Sequence, residues 1–191
     1  KAVNNLINGG VDVYRISNVV NGAAFSNGSF YIASNAKAKS IIDKNVTENN
    51  VQFIAVDQKP TALSKIKKAR IALWDMYGGS MPSGWTRLIL EKFNYAFDVI
   101  YAKDVDTGNL RSKYDVIVFV GGAIPAVGSG VNTNAGFGFN NPNPDSIPVE
   151  YRNRLGRITA AKSIPQLKLF MEAGGNIVTI GSSTQLAYHL K

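Results

Sequence analysis

Near its end the chain reads Gly174-Gly175-Asn176-Ile177-Val178-Thr179-Ile180-Gly181-Ser182-Ser183-Thr184-Gln185-Leu186. A glycine pair, an apolar run and a turn of small residues form the approach by which many α/β enzymes present a nucleophile. Ser182 and Ser183 are the hydroxyls on that turn. A serine attacks only when a base removes its proton, and the usual base is an oriented histidine. The single histidine, His189, lies seven residues beyond Ser182. On one continuous helix, at about 1.5 Å per residue, that is roughly 10 Å along the axis. Hydrogen-bond reach is about 3 Å. Ser182 therefore reads as an N-cap for free amides at the helix start. His189 reads as a helix-end histidine at the negative end of the dipole.

A second constellation runs from Asp75 to Trp85 (DMYGGSMPSGW). In open α/β sheets ligands collect where strands end, and amides at a helix start can hold an anion. Asp75, Gly78, Gly79, Ser80 and Trp85 are thus a candidate ligand edge, set against the plainer reading of a turn with a helix start. The run is not the G-x-G-x-x-G of dinucleotide sites, and no cofactor is expected. Glu150, Arg152, Arg154 and Arg157 could receive a carboxylate or phosphate, or form a solvated face. With no cysteine, thiolate chemistry and disulfides are ruled out together. Zinc takes about three protein ligands plus an open position. One histidine and scattered acids do not build that, so no metal site is expected.

The elements that must position these residues alternate. Residues 11–16, 29–33 and 51–56 read as strands, and residues 1–8 and 36–49 as helices. From Arg70 the apolar runs at 70–74, 97–101, 114–120 and 176–180 predict near-continuous buried strands, which means a parallel sheet covered on both faces. Residues 82–95 read as an amphipathic helix with Trp85, Leu88, Ile89 and Phe93 inward. Trp74 and Trp85 read as core or domain-contact aromatics. Residues 149–156 and 158–173 read as helices, and residues 121–145, rich in Gly, Asn and Pro, as a long mobile loop. The expected division is a small βαβ-containing piece over 1–57, a linker over 58–69 and a doubly wound α/β domain over 70–191.

Composition narrows the partners. The chain has 191 residues, 45% hydrophobic, enough for a globular core. Its net charge is +8. A nucleic-acid binder clusters such charge with aromatics or along a helix. The densest basic run, residues 59–70, reads as a linker, so no nucleic acid is expected. No run approaches the roughly 18 apolar residues of a membrane helix. The chain opens at Lys1 and is read as a piece of a longer protein. Absence of cysteine suits a secreted or periplasmic setting.

Residues 70–122 (RIALWDMYGGSMPSGWTRLILEKFNYAFDVIYAKDVDTGNLRSKYDVIVFVGG), together with IPVEYRNRLG at 147–156 and LKLFMEAGGNIVTIGSSTQLA at 167–187, resemble a known domain. It is the class I glutamine amidotransferase-like C-terminal domain of bacterial zinc carboxypeptidases of the carboxypeptidase A type. The preceding 57 residues resemble the region linking such a domain to the peptidase. The resemblance implies a flavodoxin-like fold and an upstream peptidase domain as partner. In true amidotransferases the turn reads Gly-x-Cys-x-Gly, often with a Gln two residues on. Here that motif falls on Thr179 to Gln185, and the cysteine position is Gly181, so the attacking group is missing. The peptidase's His-x-x-Glu motif is also missing. The implied role is a non-catalytic accessory domain, structural or binding a peptide or glycan. The competing readings are a cryptic serine hydrolase using Ser182 with a base from elsewhere and, more weakly, a small-molecule sensor.

Overall fold

In a computed structural model, residues 1–17, 26, 28–128 and 142–191 are described. Much of the expected 121–145 loop lies outside them. The chain divides into two compact units. One holds Lys1–Lys68 with Lys92–Tyr95, the other Ala69–Glu91 with Ala96–Lys191.

The first unit runs α1 (Ala2–Asn8), β1 (Val13–Ile16), β2 (Phe30–Ile32), α2 (Ala36–Asn49) and β3 (Leu63–Lys65). Asn35 caps α2 by accepting from the Ala38 amide at 2.8 Å. The strands form an antiparallel sheet in the order β2-β1-β3. The sequence β2-α2-β3 is thus a βαβ unit whose two strands are separated by β1. Residues 51–56, expected as its second strand, form none. A strand needs a hydrogen-bonded neighbour, and β2 and β3 already occupy both sides of β1. Phe53 still packs on the core of Leu6, Val11, Val13 and Ala38, while Ile54 is exposed.

The second unit runs β4 (Ile71–Trp74), α3 (Met81–Lys92), β5 (Phe97–Ile100), α4 (Ala102–Thr107), α5 (Leu110–Lys113), β6 (Val116–Phe119), α6 (Ser163–Glu172), β7 (Asn176–Thr179) and α7 (Leu186–His189). Short 3-10 turns cover Pro144–Ser146, Val149–Arg154 and Gly181–Gln185. The four strands are parallel in the order β5-β4-β6-β7. Relabelled by position within the unit this is 2-1-3-4, the flavodoxin-like order without its fifth position among the described residues. The fold is α/β, a four-stranded parallel sheet flanked by helices, as the apolar runs predicted, but β7 is not the buried strand expected of 176–180, since Val178 and Ile180 are 46% and 44% exposed. Its core is built from Leu73, Trp74, Ile100, Ile117, Phe119, Leu167 and Phe170, with α4, α5 and α6 contributing Val105, Leu110 and Ile164.

Two expectations about helices are corrected. Trp85, Leu88, Ile89 and Phe93 do not face inward; Trp85 is 62% exposed and the others are about as open. Helix α3 is seated instead by Ser83, fully buried, and Leu90, which packs on the core. At 100° per residue these lie nearly opposite the apolar stripe. A serine lets the helix axis come close to the sheet where tryptophan would hold it away. The final segment is also not one helix, because the tight turn at Gly181–Gln185 precedes a single turn of α7. Of the two tryptophans, Trp74 is core.

Candidate functional site

Strands β6 and β7 run side by side with Phe119 opposite Thr179. Their ends therefore deliver the loop from Val120 and the turn from Gly181 to the same place, the carboxyl edge of the sheet. The turn has the backbone of an elbow, with Gly181 at φ 60°, a left-handed value that favours glycine. A Cβ at Gly181 would meet nothing nearer than the Gly121 Cα at 3.7 Å. The position is sterically open, and it has no reacting group.

The hydroxyls beside it have other partners. Ser182 Oγ accepts from the Gly122 amide at 2.8 Å. Ser183, fully buried, accepts from the Ala123 and Ile124 amides at 3.1 and 3.2 Å and donates to the Val120 carbonyl. His189 Nε2 lies 2.8 Å from the Pro125 carbonyl. A carbonyl only accepts, so Nε2 carries the proton there. All three side chains hold one stretch, Val120–Pro125. Ser182 is not an N-cap as expected, since the turn that begins at Gly181 has no side-chain cap. Its partner lies 60 residues earlier in the chain. Gln185 is half-buried at the junction with α7.

Asp75 follows β4 on the same carboxyl edge and is 5% exposed. Its Oδ1 accepts from the Met76 amide at 2.9 Å and the Ser80 amide at 3.1 Å. Ser80 Oγ in turn accepts from the Ser83 amide at 3.2 Å. Gly78 and Gly79 adopt φ of 82° and 76° and fold the loop back, so that the Gly79 amide reaches the Met76 carbonyl. Asp75 thus places a carboxylate where an incoming anion would need those amides. The remaining feature of this edge is apolar. Met81, 78% exposed, stands one helical turn from Trp85, and Leu88 and Ile89 continue the stripe. Among the described residues, the Ser83 hydroxyl and Trp74 Nε1 are buried without a hydrogen-bond partner.

The arginine cluster after the loop is largely engaged. Arg154 lies over the rings of Tyr151 and Tyr101 at 4.7 and 5.6 Å, and Arg152 pairs with Asp145 at 3.3 Å. The most perturbed carboxylate lies at the opposite edge of the sheet. Asp115 Oδ1 accepts from Arg70 Nη2 and Arg111 Nη1 at 2.8 and 2.6 Å, and Oδ2 from the Arg70 amide and Nε at 2.9 and 3.1 Å. These charge-assisted bonds, those from Arg70 foremost, hold its carboxyl well below the usual range. It ties the starts of β4 and β6 together.

Among the described residues no three His, Asp or Glu side chains gather as a metal site, and no helix is long and apolar enough to cross a membrane. No protein-family model, curated protein or solved structure matches the chain.

Proposed function

We propose that this chain is a non-catalytic accessory module of a larger bacterial protein of the zinc carboxypeptidase type, secreted or periplasmic, with the peptidase domain upstream. The observation that carries the reading is the occupation of the elbow. Gly181 offers no nucleophile, and Ser182, Ser183 and His189 are all hydrogen-bonded to Val120–Pro125. A nucleophile and its base act as a unit, and a missing member removes nearly all of the gain. What the module offers a partner is surface. The stripe of Met81, Trp85, Leu88 and Ile89 is the face we assign to contact with the peptidase domain or with a peptide that it presents, because large apolar groups open to solvent in this pattern mark interaction sites.

The test is turnover by the purified chain of glutamine, simple esters and peptides with free C-termini, with Ser182→Ala assayed alongside. No turnover above background is expected from either protein. Ester hydrolysis that Ser182→Ala abolishes would establish the cryptic serine hydrolase in its place. A reading frame upstream of Lys1 without a His-x-x-Glu peptidase sequence would remove the proposed parent.

A further inference from the structure

The charge of the chain is unevenly divided. The first unit holds ten Lys and Arg against four Asp and Glu, the second eleven against nine. One face of the first unit's sheet is buried, with Val13 and Ile32 turned to the core beneath α1 and α2. Side chains alternate along a strand, so Tyr14 turns the other way. In register with it, across the three strands, are Tyr31 on β2 and Lys65 on β3. The Tyr14 and Tyr31 rings stand 6.3 Å apart, tilted by 50°. Lys59 Nζ lies 5.8 Å from the centroid of Tyr14, and Lys65 meets Asp12 at 2.7 Å with both side chains more than half exposed. The basic run that reads as a linker in the sequence thus becomes β3 and its approach, and sets its ammonium groups beside a tyrosine pair.

We propose that this outward row, Tyr31, Tyr14 and Lys65 with Lys59 above it, binds an anionic polysaccharide. The excess of positive charge supplies the complementarity. Ring chemistry separates a sugar polymer from a single-stranded nucleic acid. Bases stack on flat, open ring faces along an electrostatic groove. Here the two rings are half-buried and tilted against each other, and one already has an ammonium above it. What the row offers a sugar polymer is hydrogen bonding, from the two phenol hydroxyls to sugar hydroxyls, while Lys59 meets carboxylates as a point charge. The proposal is independent of the carboxypeptidase reading, because it uses no residue of the elbow or of α3.

The test is titration of the full chain with an oligogalacturonate, its neutral methyl ester and an oligo-dT of matched charge, at low and moderate salt. The oligogalacturonate should bind, weaken with salt, and exceed both the ester and the oligo-dT. Lys59→Gln and Tyr31→Ala should each lower its affinity about fivefold to tenfold, the scale of one cation–π or aromatic contact. Lys37→Gln, the same charge change on exposed α2, should leave it unchanged. Circular dichroism confirms that each variant is folded, and Tyr31→Phe, which keeps the ring, serves if Tyr31→Ala is not. Absence of binding to the oligogalacturonate would overturn the proposal. So would equal or tighter binding of oligo-dT, or an equal loss in Lys37→Gln, which would reduce the effect to overall charge.

Discussion

Removing the Ser183 hydroxyl would strip the Ile124 amide of its acceptor and the Val120 carbonyl of a donor, and would leave the Ala123 amide only its 3.2 Å bond to the Val120 carbonyl, inside a fully buried site. Each such group left unsatisfied costs about 1–3 kcal/mol. Ser183→Ala should therefore lower unfolding free energy in urea by about 2–3 kcal/mol. Ser182 is exposed and makes one bond to the loop, so Ser182→Ala should cost about 0.5–1.5 kcal/mol. At the other edge of the sheet, Asp115 is held ionised by Arg70 and Arg111. Its folded value is depressed below the ordinary 3.8, so its stabilisation is present above that pH and is lost as the pH falls below it. Asp115→Asn should lower the melting temperature at neutral pH, and the gap to the parent protein should narrow as the solution is acidified from about pH 4 downward. Melting curves over that range check the sign, and a gap that widens in acid would contradict it.

At the scale of elements, α3 gives the sharpest contrast. Trp85→Ala removes a side chain that is mostly solvated, and should change stability by no more than about 0.5 kcal/mol. Ser83→Leu forces bulk between α3 and the sheet, and should cost about 1–3 kcal/mol. Urea denaturation of the two variants distinguishes this seating from the inward apolar face expected from sequence, under which Trp85→Ala would cost about 3–5 kcal/mol. The difference shows where the sequence was legible. Runs such as Val116–Phe119 must be buried on both faces wherever they lie, so the parallel sheet could be read from them. Periodicity in α3 marks an apolar face, but it carries no information about whether that face meets the core or a partner. Strand β3 contains Ser64 and Lys65 and has no apolar signature, because it sits at the edge of a sheet with a solvated side. The elbow was legible as a turn, and Gly181 as an empty position. The seats of Ser182, Ser183 and His189 were not, since they lie 59 to 64 residues away and are fixed only once β6 and β7 pair.

For the whole molecule, these placements describe a chain in which side chains at the carboxyl edge of the parallel sheet hold the loops that follow β4 and β6. Asp75 closes the loop after β4 with its own carboxylate, and the serines with His189 close the one after β6. The surfaces left open are apolar on α3 and basic and aromatic on the small sheet. We propose that the elbow is a clamp with no activated hydroxyl. Its most direct test is incubation of the intact chain with a fluorophosphonate, followed by whole-protein mass spectrometry, because such reagents label a serine that a base has activated. An unmodified mass is expected under conditions that fully label a known serine hydrolase. A stoichiometric adduct mapped to Ser182 or Ser183, and lost on substitution of that serine, would contradict it.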